Sequence, residues 1–251
     1  MGTSSTRRGK NSRNINKIDS EISTEVSWQS AKSAATKFFK GSLGFGIVMQ
    51  KVIQASGGST YFAANKRNKK AIGYASLLTV VVRASAVGVK QALSEQGHII
   101  DETKTIQELL IDYVSERVCP DATTVEDTSI REELLTSTVQ FSELFDAEGF
   151  IDLEDEVVVN SIKSIFYRSL VDTLEDAFEQ EVPMSIETDQ PDQVEINRQS
   201  AKRLIGKKVK KYLSAYSRNE ILNPDKIKDI ELDIYNSVLN DYQNGDFDED
   251  E

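Results

Sequence analysis

From Glu25 to Tyr242 the larger apolar residues recur at three- and four-residue steps, and no segment sustains the strict alternation of a half-buried strand. That spacing limits the chain to helix-on-helix packing, an all-α fold. Only four prolines occur, Pro120, Pro183, Pro191 and Pro224, so long helices can run uninterrupted. The first helix is expected over Glu25 to Lys40, through Trp28, Ala31, Ala35, Phe38 and Phe39. Gly41, Gly44 and Gly46 stop it, and a second short helix covers Phe45 to Ala55. A third covers Thr60 to Asn68, and a long buried helix follows from Ala71 to Gln96, terminated by Gly97.

The downstream part carries the same signal. Thr103 to Cys119 places Ile106, Leu109, Leu110 and Tyr113 on one stripe, with Thr105 and Glu108 spaced as a capping box and Pro120 as the stop. Helices are expected over Thr128 to Phe145, Leu153 to Gln180, Val194 to Tyr216 and Asp225 to Tyr242. The organisation that follows is a disordered tail over 1–24, a basic, glycine-punctuated helical region over 25–98 and an acidic helical region over 99–182. A linker at 183–193, C-terminal helices over 194–244 and an acidic tail over 245–251 complete it. The leading tail is expected to stay disordered because Ile15 and Ile18 are the only larger aliphatics between Met1 and Ser20.

Charge divides the chain more sharply than its net value of −11 suggests. Residues 1–90 carry 15 Lys+Arg against 3 Asp+Glu, a balance of +12; residues 91–251 carry 15 against 38, a balance of −23. Opposed halves imply attraction within the chain or two different partners. Two basic surfaces stand out as binding candidates. One is Lys66, Arg67, Lys69 and Lys70; the other is the lysine face of the late helix, with Lys202, Lys207, Lys208 and Lys211. They would contact phosphates or an acidic protein, or, more blandly, form a solvated face or pair with the acidic half of the same chain.

Several chemistries lack their residues. Cys119 is the single cysteine, which excludes an internal disulfide and a cysteine-built zinc site and fits a reducing, cytoplasmic compartment. It reads as a small buried hydrophobe beside Pro120. His98, the one histidine, reads as a solvated loop residue after a helix end. Gly41 to Gly46 is glycine-rich, but no Gly-Lys-Ser/Thr follows, so it is not a P-loop. Asp152, Glu154, Asp155 and Glu156 lack EF-hand spacing and suit the positive end of a helix instead. No metal site, cofactor or catalytic set is expected. Ala71 to Val89 is interrupted by Arg83, so stable membrane insertion is not expected, and no apolar signal segment follows Met1.

The start, Met1-Gly2-Thr3-Ser4-Ser5-Thr6, is the most specific local feature. A small second residue permits removal of the initiator methionine and would expose the Gly2 amine. The segment also fits the short N-myristoylation pattern, with Arg7 and Arg8 as a weak second membrane signal.

Taken in order, these features resemble the QatB family of the Qat anti-phage system. The resemblance rests on the Met-Gly-Thr-Ser start, Ala55-Ser56-Gly57-Gly58-Ser59-Thr60, the basic run Asn65 to Gly73, the Val118-Cys119-Pro120 turn and a late basic helix. It covers nearly the whole chain. Two departures are a short, Asn/Ser/Lys-rich tail in place of a Pro/Gly-rich linker, and an extension over 219–251. The resemblance implies a non-enzymatic adaptor in bacterial antiviral defence. Its partners would be a P-loop ATPase, a QueC-like protein and, less firmly, a TatD-like nuclease. Gly2 would be the modified residue, with Thr3, Ser4 and Ser5 recognised beside it. Two other readings stay open: a nucleic-acid-binding module using the Lys66–Lys70 cluster, which is less favoured, and an N-terminally lipidated protein at a membrane.

Overall fold

The computed structural model describes residues 27–120, 124–182 and 191–247, and among these every regular element is helical. The tail expected over 1–24, most of the linker over 183–193 and the end of the acidic tail lie outside the described residues. Ten α-helices follow in order: α1 Trp28–Phe39, α2 Phe45–Ala55, α3 Ala64–Val87, α4 Val89–Glu95, α5 Ile106–Tyr113, α6 Val125–Ser142, α7 Glu156–Glu181, α8 Pro191–Leu213, α9 Arg218–Ile221 and α10 Pro224–Asn244. The fold is all-α, as the spacing predicts.

Local chemistry starts and stops these helices. Ser27 caps α1 through its side chain, Asp155 caps α7, and Asn223 caps α10 ahead of Pro224. The capping box expected at Thr105 is formed. Glu108 donates its backbone N–H to Thr105 Oγ1 at 3.2 Å, and the Glu108 carboxylate accepts the Thr105 N–H at 2.8 Å. Thr105→Ala is expected to cost about 1 kcal/mol in urea denaturation, with an unchanged denaturant slope. A loss below ~0.3 kcal/mol would show that water caps α5 equally well.

Several boundaries differ from the sequence reading. The helices expected over 60–68 and 71–96 are one continuous helix up to Val87, because nothing between Asn68 and Ala71 breaks it and its lysines find partners inside the fold. The break comes at Gly88, which adopts a φ of +79° that favours glycine. The Val89 N–H then bonds the Gly149 carbonyl at 2.7 Å, anchoring the α3–α4 corner to the loop before α7. Gly97 ends the short α4 instead. After Tyr113 the expected helix loosens into a π-turn, Val114–Val118, closed by the Cys119 N–H on the Val114 carbonyl at 2.8 Å. α8 begins at Pro191 rather than Val194, since proline suits a first helical position. The sequence reading had no place for α9, which a Ser217/Glu220 capping box holds to a single turn.

One hydrophobic core takes residues from every helix, running from Ala31 to Tyr242. α3 lies at its centre, packed against α4, α6, α7 and α10. Phe45 meets Phe38, Phe178 and Tyr242 with ring centroids 5.6, 5.1 and 5.7 Å away, which ties α2 to α1, α7 and α10. Tyr74 of α3 packs on Phe166 at 5.0 Å and Phe141 at 6.0 Å, joining α7 and α6. By length and composition α3 is the one described helix that could cross a membrane, and half of its apolar window is buried in the protein.

Candidate functional site

The most unusual chemistry lies against α3. Lys66, Arg67 and Lys70 are 1%, 3% and 0% exposed, so three of the four residues expected to form a basic surface point into the fold. Lys66 Nζ sits 3.0 Å from Glu133, 3.1 Å from Asp176 and 3.1 Å from the Ser129 hydroxyl. Lys70 pairs with the other Glu133 oxygen, which also accepts the Thr173 hydroxyl at 3.2 Å. Ser129 donates to Asp176 at 2.9 Å. Two buried ammonium groups therefore meet two carboxylates drawn from α6 and α7. Burial works to raise the Asp176 carboxyl, but hydrogen bonding with Glu133, the charge of Lys66 and bonds from Lys66 and Ser129 together hold it below its ordinary value.

Arg67 does different work. Its guanidinium donates to Asn236 at 2.8 Å and to the carbonyls of Ser59 and Thr60 at 3.0 and 3.1 Å. Ser59 in turn donates its N–H to Gln243 at 2.6 Å and its hydroxyl to Asn240 at 2.5 Å. The Gly57-Gly58-Ser59-Thr60 turn is thus clasped to α10. Burial lowers the Arg67 basicity. Lys69 alone of the four reaches the surface, where it pairs with Asp127 at 2.6 Å.

Glu231 of α10 is fully buried next to this cluster. One of its oxygens accepts the Tyr235 hydroxyl at 2.7 Å; the other has no partner, and neither does the buried Tyr74 hydroxyl. Burial pushes the Glu231 carboxyl up to about 7; the Tyr235 hydrogen bond and the Lys70 charge oppose this, and the Glu133 charge adds to it. The phenols of Tyr74 and Tyr235 are raised well above their ordinary values, chiefly by burial. Between α6 and α7 the cluster opens into a cleft of about 170 Å³, bordered by Lys70, Glu133, Ser137, Arg168 and Ser169.

The lysine face of α8 divides as well. Lys202 bridges Asp172 at 2.8 Å and Glu175 at 2.7 Å. Lys207 is exposed. Lys208 turns inward, 1% exposed, donating to the Asp246 carbonyl at 2.8 Å and lying 5.2 Å from the Tyr242 ring. Lys211 pairs with Asp241 at 3.3 Å, and Asp241 also accepts the Tyr212 hydroxyl at 2.6 Å. Gly2, Thr3, Ser4 and Ser5 lie outside the described residues.

His98 corrects the sequence reading. It is 6% exposed and packs edge-on against Tyr113, with Nδ1 3.7 Å from Glu116. Cys119 is half-buried, and burial raises its thiol pKa. Neither borders the α6–α7 cleft. The Asp152–Glu156 run is spent on helix entry: Asp152 accepts the Glu154 N–H and Asp155 the Val157 N–H, each at 2.8 Å. No group of His, Cys, Asp and Glu with metal-ligand geometry occurs among the described residues.

The inward lysines do leave a trace in the sequence. Lys66 and Lys70 precede Tyr74, Leu77 and Val81 at helical spacing, so they extend the buried stripe of α3 toward its N-terminus. Glu231 falls likewise between Ile227, Ile234 and Val238. Compared with protein-family models, curated proteins and solved structures, the chain matches none.

Proposed function

We propose that the chain is a non-enzymatic helical adaptor of a Qat-like anti-phage system, acting in the bacterial cytoplasm. In this reading its leading Gly2-Thr3-Ser4-Ser5 peptide is gripped and modified by a QueC-like partner, and the body binds a P-loop ATPase. The supporting observation is how the residues that carry the family resemblance are used. Ser59 and Thr60 are clasped by Arg67 and α10, and Lys66 and Lys70 are tied to α6 and α7. These motifs spend their polar groups on holding helices together, which suits a scaffold. The same placement weakens the nucleic-acid reading, since only Lys69 of that cluster is left at the surface and phosphate contacts need accessible cations.

The test is co-purification with the products of neighbouring genes, followed by intact-mass measurement of the N-terminal peptide. The expected result is recovery of an ATPase and a mass added at Gly2, with loss of defence in Gly2→Pro. An unmodified terminus, together with full defence in Gly2→Pro, would remove the proposal.

A further inference from the structure

Acidic residues outnumber basic ones, 41 to 30, and most of the described arginines are committed. Of the eight described arginines, Arg67, Arg83, Arg117, Arg198 and Arg218 hold carboxylates, amides or carbonyls. Arg131, Arg168 and Arg203 make no hydrogen bond or ion pair among the described residues. Two of these three border the same groove. It lies between α7 and α8, holds about 280 Å³, and has Tyr167 and Arg168 on one wall and Arg203 on the other.

Three cations line the groove, Arg168, Lys202 and Arg203, against one lining carboxylate, Asp172. Lys202 bridges Asp172 at 2.8 Å and Glu175 at 2.7 Å, so the groove keeps a net positive charge in a chain whose net charge is −11. Tyr167 lines the groove too, and its hydroxyl lies where a Cβ on Gly206 would run into it. Gly206 therefore lets α8 approach the Tyr167 phenol of α7 closely.

We propose that this groove binds a phosphomonoester. A guanidinium presents paired N–H donors that match phosphate oxygens. Two of them balance a group carrying about −1.5 to −2 charges at neutral pH. A duplex is a poorer match, because coating it takes phosphate contacts along a run of cations, and here the acidic stretch Asp172, Glu175 and Glu179 borders the groove on α7. The site goes beyond the adaptor reading and stands or falls without it.

Isothermal titration of the full chain at constant ionic strength tests it, with AMP, inorganic phosphate and adenosine as probes. AMP is expected to bind with Kd of about 0.1–1 mM, adenosine not to bind, and phosphate to compete with AMP. Arg168→Ala and Arg203→Ala should each weaken AMP binding about tenfold, with unchanged circular dichroism, whereas Arg131→Ala should leave it unaltered. Competition by phosphate assigns the affinity to the phosphoryl group; binding by AMP without that competition assigns it to the whole ester. Equal weakening by Arg131→Ala, equal binding of adenosine, or no binding of either AMP or phosphate up to ~10 mM would overturn the site.

Discussion

Glu133→Ala is expected to destabilise the fold by about 3–5 kcal/mol, the largest loss of any single surface-distant charge in this protein. Glu133 is the shared partner of Lys66 and Lys70, whose side chains are only 2% and 1% exposed. Without it Lys66 retains Asp176, but Lys70 loses its ion-pair partner and is left as a buried ammonium. The desolvation cost of that charge, rather than the lost attraction, dominates the effect. Asp127→Ala is the surface comparison: it breaks the Lys69 pair, where the lysine is 46% exposed, and the Thr124 hydroxyl bond at the start of α6, and should cost about 1 kcal/mol. Urea denaturation followed by far-ultraviolet circular dichroism reads both. A further variant, Glu133→Leu with Lys70→Met, should recover most of the loss, because replacing a buried pair with apolar groups of similar volume is often near neutral. If Glu133→Ala and Asp127→Ala cost the same, Lys66 and Lys70 reach water in solution and the cluster holds nothing together.

This cluster also marks where sequence reasoning stops. Apolar periodicity placed α2 at its observed bounds and found the Thr105 capping box, because both are local: each is decided by residues within a turn or two. Periodicity assigns charged residues to the outer face by default. It therefore read Lys66, Arg67 and Lys70 as one basic surface with Lys69, when α3 turns the three inward and only Lys69 outward. Their side-chain partners lie 63 to 169 positions away along the chain, in α6, α7 and α10, and no window of sequence brings those residues together. The opposed charge of the two halves did carry the relevant information: basic α3 is received by acidic α6 and α7. The α8 face was legible in part, since Lys202 and Lys211 are at the surface as expected while Lys208 reaches back to Asp246. The α7–α8 groove was not legible at all. It depends on Gly206 admitting Tyr167, and nothing in the local sequence of either helix announces the other.

Glu231 supplies the second large effect, and it appears as a dependence on pH. Its carboxyl titrates near 7 in the fold, against 4.5 when exposed, because burial disfavours the charged form. A raised carboxyl means the folded state holds a proton that the unfolded chain has released. The resulting stability is fully present below pH 4.5, falls as pH rises toward 7, and is gone above it. A shift of that size corresponds to roughly 3 kcal/mol across the window. Glu179, raised chiefly by burial, contributes with the same sign, whereas Asp176, held below 3.8, contributes with the opposite sign and only at pH values under this window. Glu231→Gln isolates the term, because its neutral amide can still accept the Tyr235 hydroxyl and does not ionise. The stability of Glu231→Gln minus that of the native chain should therefore climb by about 3 kcal/mol between pH 4.5 and pH 8, whatever its starting value. Thermal and urea unfolding at half-unit pH steps would measure this difference. A flat difference would mean that Glu231 stays ionised throughout, with Lys70 as its counter-ion, and the buried acid would then belong to the same ion-pair cluster as Glu133.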